Sequence, residues 1–115
     1  MALYSELGVY KDTYALLRKI YEVTKNFTKE YRYTLGEDMK RDAMQLVRNI
    51  YRANKHKNER KMHLENFLDD FELVKLQMRL CADMKLLTIK KHAELTELMS
   101  GIGKQITGWR NATPV

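Results

Sequence analysis

The only proline of this chain, Pro114, stands one residue from its end, so no proline interrupts the backbone before it. Five glycines are the only other strong turn makers in 115 residues. Sandwiches and barrels need a turn signal roughly every 8–12 residues, which this chain does not have. Long helices joined by few connections need far fewer. The residues can also fill a core, because 44% are apolar and 31% charged, a balance that argues against disorder. A chain of this length buries roughly two-thirds of its unfolded surface. One domain over residues 1–115 is therefore expected, with the last five or so residues lacking fixed structure.

Apolar spacing divides the chain into four helical segments. The first runs from about Ser5 to Phe27, with Tyr10, Tyr14, Leu17 and Tyr21 on one stripe and Leu16, Ile20, Val23 and Phe27 on another. Residues 26–33 break the period and read as a connection. Thr34 with Glu37 three residues on has the form of a capping box. The second helix then carries Met39, Ala43, Leu46, Ile50 and Ala53 inward and stops near Asn54. Asn58 is a candidate N-cap for the third helix, about Glu59 to Leu87. That helix has a stripe of Leu64, Phe67, Phe71, Val74, Met78 and Cys81, and a second of Leu73, Leu76, Leu80, Met84 and Leu87. Two stripes predict burial on two sides. Thr88 caps the fourth helix, which runs to about Arg110 with Leu95, Met99, Ile102, Ile106 and Trp109 inward. The expected fold is all-α, an antiparallel up-down-up-down four-helix bundle.

The net charge of +6 has one source. Between Lys40 and Lys61 lie eight basic and two acidic residues, and the rest of the chain is neutral. Arg41, Arg48, Arg52 and Lys55 are spaced 7, 4 and 3, which puts them on one face of the second helix. Arg48 lies about 200° around the helix from Leu46, away from the core stripe. Lys57, Arg60 and Lys61 extend the cluster past the loop. Such a patch either attracts polyanions or is a solvated face. Arginine favours phosphate, which it binds bidentately. Tyr51 flanks the patch and is read as packed at a helix interface, with stacking on a base as the alternative. Lys75, Arg79, Lys90 and Lys91 form a smaller set where the third and fourth helices meet, diluted by acids.

Signals for catalysis are absent. Gly101 and Gly103 lack the third glycine and the preceding strand of a phosphate loop. His56, His63 and His92 have no ligand partners at metal spacing. Cys81 sits on a core stripe and reads as a small buried hydrophobe. Asp69 and Asp70 are adjacent and point to different sides of a helix, unlike an acid–base pair. No enzyme activity, cofactor or metal is expected. The N-terminal residues lack the pattern of a secretory leader, and no run approaches the ~20 apolar residues of a membrane span. A cytoplasmic protein without a membrane partner is the expectation.

The run Phe27-Thr-Lys-Glu-Tyr-Arg-Tyr-Thr-Leu-Gly36 is followed by Asp42-Ala43 and Ile50-Tyr51-Arg52-Ala53-Asn54. With Met84-Lys85-Leu86-Leu87-Thr88, Ile102-Gly103-Lys104 and Gly108-Trp109, it resembles the accessory variability proteins (Avd) of diversity-generating retroelements. The similarity covers most of the chain. A related family, the four-helix bundle proteins encoded by intervening sequences in ribosomal RNA genes, commonly has a proline in its second helix. The corresponding run here, Met44-Gln45-Leu46-Val47-Arg48-Asn49, has none. The resemblance implies a homo-oligomer, a pentamer, that binds the element's reverse transcriptase and its template-repeat RNA or DNA without being catalytic. The alternatives are a ribosomal-RNA intervening-sequence protein and a helical adaptor that binds only proteins.

Overall fold

The computed structural model describes residues 4–114, so the first three residues and Val115 lie outside it. A 3-10 turn, Tyr4–Glu6, precedes helix α1, Gly8–Thr24. A single helical turn, α2, spans Lys29–Arg32. Three long helices follow: α3, Leu35–Lys55; α4, Arg60–Asp83; and α5, Ile89–Ala112. The four long helices form a ring in which α1 borders α3, α3 borders α4, α4 borders α5, and α5 closes on α1. The result is an all-α antiparallel bundle of 44 × 23 × 22 Å, with no strand among the described residues. No helix among them is long and apolar enough to cross a membrane.

The core follows the predicted stripes of α3 and α5. Met39, Ala43, Leu46, Ile50 and Ala53 meet Leu64, Phe67, Phe71, Val74, Met78 and Cys81 of α4, with Leu95, Met99, Ile102 and Ile106 of α5. Polar pairs mark the helix register. Asn49 donates to Asp70 at 2.9 Å and Gln77 to Asp42 at 2.7 Å across the α3–α4 seam. Gln105 donates to Asp12 at 2.7 Å between α5 and α1. Each donor amide meets a carboxylate, a stronger bond than a neutral pair.

Several expectations are corrected. The first helix ends at Thr24, three residues early. The amide of Phe27 bonds back to the Thr24 carbonyl at 3.2 Å, and the turn carries the Phe27 ring into the core. The connection after it contains the turn α2. Thr34 forms no capping box: its hydroxyl donates to the Glu30 carbonyl of α2 at 2.8 Å. Gly36 then packs close to that turn. A Cβ there would sit 3.3 Å from the Tyr31 carbonyl oxygen and 3.5 Å from Thr24.

Asn58 is not an N-cap, because it lies within a 3-10 turn, Lys57–Glu59, and α4 starts at Arg60. The far end of α4 stops at Asp83 instead of Leu87. The amide of Leu86 reaches the Cys81 carbonyl at 2.8 Å, and Lys85 reaches Ala82 at 3.1 Å. These two bonds make a Schellman closure, with Lys85 in the left-handed region at φ 59°. Leu86 packs on the core as that closure favours. Thr88 caps α5 as expected, its hydroxyl accepting from the Lys91 amide at 3.1 Å. Of the C-terminal residues expected to lack fixed structure, Asn111 and Ala112 belong to α5.

The largest correction concerns the second apolar stripes. Tyr14 and Tyr21 of α1 are exposed, and Val9, Thr13 and Thr24 take inward positions beside Leu16, Leu17 and Ile20. On α4, Leu73, Leu76 and Leu80 face out, Leu76 at 61% exposure, as does Met84 just past its end. A ring of four helices gives each of them one inward direction, so these stripes are split: Leu17 is buried and Tyr10 and Leu87 pack on the core, while Tyr14, Tyr21, Leu73, Leu76, Leu80 and Met84 stay outside.

Candidate nucleic-acid interface

Helix α3 is built with its charges ordered along its axis. Glu37 and Asp38 occupy the first turn and Arg52 and Lys55 the last, each complementing the helix dipole. Lys40 pairs with Glu37 at 2.7 Å, and Arg41 with Asp38 at 3.1 Å and Asp42 at 3.4 Å. Beyond Asp42, α3 carries no further acid. Arg48 and Arg52 are exposed, and neither makes an ion pair among the described residues. Lys55 donates to the Tyr51 hydroxyl at 3.2 Å and lies 5.5 Å from that ring. The outward face of α3 thus carries Arg41, Arg48, Arg52 and Lys55 together, with Arg48 and Arg52 uncompensated.

Past the loop the cluster divides. Lys57 is exposed beside this face. Arg60 turns inward instead: its Nε donates to the Ala53 carbonyl at 2.7 Å and its Nη2 to Asn54 at 3.2 Å, closing the C-terminus of α3. Its guanidinium also lies over the Trp109 ring at 5.6 Å. Lys61 is half-buried.

The smaller basic set is not brought together. Lys75 and Arg79 flank a groove of about 580 Å³ between α4 and α5, where Lys75 pairs with Glu72 at 3.1 Å and Arg79 with Asp83 at 3.9 Å. Lys90 and Lys91 lie at the start of α5, and Lys91 pairs with Glu94 at 3.7 Å near α1. Each of the three paired cations thus has an acid beside it.

Other reactive groups are built into the packing. Cys81 is buried, its thiol 3.4 Å from the Met39 sulfur, and burial pushes its pKa up to about 11. It is a protonated core residue at neutral pH. Among the described residues no three His, Cys, Asp or Glu side chains gather to hold a metal ion.

Sequence reasoning places Tyr14 and Tyr21 on an apolar stripe and gives Tyr51 two readings, packing at a helix interface and stacking on a base. Tyr51 is 40% exposed beside Lys55. Tyr21 is 43% exposed with the Lys40 ammonium 5.3 Å from its ring. The available signal was the alternation Lys11, Tyr14, Arg18, Tyr21, Lys25, in which cations share the stripe with the rings.

No curated protein matches the chain. The bAvd-like family does, over residues 8–113, from the first residue of α1 to just past the end of α5. A match of that extent takes in every helix of the bundle, and the chain therefore belongs to the bAvd-like family of accessory variability proteins.

Proposed function

We propose that this protein is a non-catalytic accessory factor of a diversity-generating retroelement. It binds the element's reverse transcriptase and template-repeat RNA and supports mutagenic copying of that RNA into cDNA. The observation that carries the nucleic-acid part is the outward face of α3, where Arg48 and Arg52 stand exposed without acidic partners. Arginines so placed are ready for bidentate contacts to phosphate, and such contacts position a strand without reading its sequence. Family membership supports the retroelement part.

The working form in this reading is a homo-oligomer, a pentamer. Leu73, Leu76 and Leu80 leave an apolar stripe on the outside of α4, suited to a subunit seam. Five copies of +6 would concentrate a positive field that one copy lacks.

The test is a salt titration of RNA binding by the wild type and by the Arg48→Ala/Arg52→Ala double variant. The variant should keep its helicity, since alanine is the better helix former and neither side chain is in the core. Its affinity should fall, and the slope of log affinity against log salt should flatten by about one unit for each phosphate that is no longer neutralised. Equal affinity and equal slope would reduce this face to a solvated surface. Co-purification with the reverse transcriptase encoded beside it tests the partner.

A further inference from the structure

The outward stripe of α1 alternates cations with aromatic rings: Lys11, Tyr14, Arg18, Tyr21 and Lys25, spaced 3, 4, 3 and 4. All five are exposed. The facing stripe of α3 does something similar with Lys40, Met44, Arg48, Tyr51 and Lys55, spaced 4, 4, 3 and 4. Four of these are exposed and Lys40 is half-buried. The two stripes border one seam, because the Lys40 ammonium reaches across it to within 5.3 Å of the Tyr21 ring. Gly36 beside Thr24 fixes the antiparallel register. Moving along both helices from Lys40 and Tyr21 puts Tyr51 level with Tyr10, whose ring stacks on Tyr14 at 6.1 Å and 7°. At ~1.5 Å per residue the aromatic run is roughly 16 Å long.

Tyr14, Tyr21 and Tyr51 remain 40–46% exposed although Tyr10, Lys40 and Lys55 each meet one of the rings within the chain, so apolar ring surface is left for a partner to cover. The charges say what kind of cover suits them. The α1 stripe contains no acid, and the cations stand between the rings. A partner must therefore present anionic groups and flat apolar faces in alternation along a line. Single-stranded nucleic acid does this, with phosphates at one edge and bases at the other. A duplex offers the phosphates but keeps its bases stacked inside. Tyr14 and Tyr21 are seven residues apart, ~10 Å along the helix axis. That spans about three steps of a strand stacked at ~3.4 Å per nucleotide, so the two rings meet bases that are not neighbours in the strand.

We propose that the α1–α3 seam is a stacking platform for single-stranded nucleic acid, with bases on Tyr14, Tyr21 and Tyr51 and phosphates on Arg18, Lys25 and Arg48. This rests on the nucleic-acid reading above and adds to it the strandedness of the ligand and the groups that hold its bases. Sequence preference is not part of it, since every base has a face to stack.

The test uses three fluorescent probes of equal length: oligo(U), an abasic strand with the same phosphates, and an RNA duplex. Anisotropy gives their affinities at two salt concentrations. The wild type should bind oligo(U) more tightly than either other probe. The Tyr14→Ala/Tyr21→Ala/Tyr51→Ala variant should lose roughly tenfold or more on oligo(U) and little on the abasic strand, with an unchanged salt slope. The matching triple Phe variant should keep its affinity, because the ring and not the hydroxyl is used. If the triple Ala variant loses helicity, Tyr21→Ala alone repeats the comparison with a smaller expected loss. Unchanged oligo(U) affinity in the Ala variant overturns the platform while leaving the phosphate reading intact. Equal losses on the abasic strand overturn it as well. If those variants instead change the oligomer mass and not the binding, the seam is a contact between copies or with another protein. Failure of the wild type to bind any probe removes the nucleic-acid reading itself.

Discussion

Helices α3 and α4 share the most extensive contact of the bundle, yet their outward faces have opposite chemistry. Outside α3 stand Arg41, Arg48, Arg52 and Lys55; outside α4 stand Leu73, Leu76 and Leu80. Their inward faces are alike, continuous apolar stripes that are almost fully buried. The bundle itself needs only the inward stripes. What the outer faces carry is therefore free to serve contacts outside the chain. A charged face remains hydrated until a polyanion displaces its counterions. An apolar face of this size gains free energy only when another surface removes it from water.

The sharpest way to break this contrast is to truncate the two faces of α4 in turn. Phe67 is fully buried, and Phe67→Ala should cost about 3–5 kcal/mol in chemical denaturation. Leu76→Ala should change the stability of a single bundle by no more than ~0.5 kcal/mol. If α4 forms the seam of the proposed oligomer, Leu76→Glu should retain the helical circular dichroism while lowering the mass seen by light scattering. A Leu76→Ala loss as large as that of Phe67→Ala at every protein concentration would mean that the outer stripe is part of the core.

Backbone substitutions probe the same contrast at about 1 kcal/mol. A Cβ on Gly101 meets nothing within 4 Å, so Gly101→Ala should stabilise by roughly 1 kcal/mol through helix propensity. At Gly36 the same change meets the Tyr31 carbonyl and should bring no such gain. Lys85→Gly should stabilise by up to ~1 kcal/mol, since φ 59° suits glycine better than lysine. Thermal denaturation of the three variants checks all of these.

The smallest effect is on reactivity. Cys81 is protonated well above neutral pH, because burial disfavours the thiolate and raises its pKa to about 11. Iodoacetamide at pH 8 should label the folded protein slowly and the unfolded chain fully, by mass spectrometry. Leu80→Cys in a Cys81→Ala background moves the thiol to the outer face and should label readily when folded. Equal rates at the two neighbouring positions would contradict the assigned orientation of α4.

Most of the helical content was readable from the residues. The inward stripes of α3 and α5, the cap at Thr88 and the charge between Lys40 and Lys61 depend on neighbours within four residues, as does helical geometry itself. The exposed positions of Arg41, Arg48, Arg52 and Lys55 follow from the same periodicity. Arg60 was beyond reach, because its role at the C-terminus of α3 needs a loop to bring its guanidinium back onto two carbonyls. Thr34 was misread because the one-turn helix before it offers a closer acceptor than a cap geometry does.

By itself the sequence determined four amphipathic helices, their order, and a basic face opposite the core of α3. Only the tertiary structure decided which of two apolar stripes on α1 and α4 points inward. Periodicity defines stripes but assigns no direction to them. That choice is made when neighbouring helices compete for a single core, and it left Tyr14, Tyr21, Leu73, Leu76 and Leu80 on the outside.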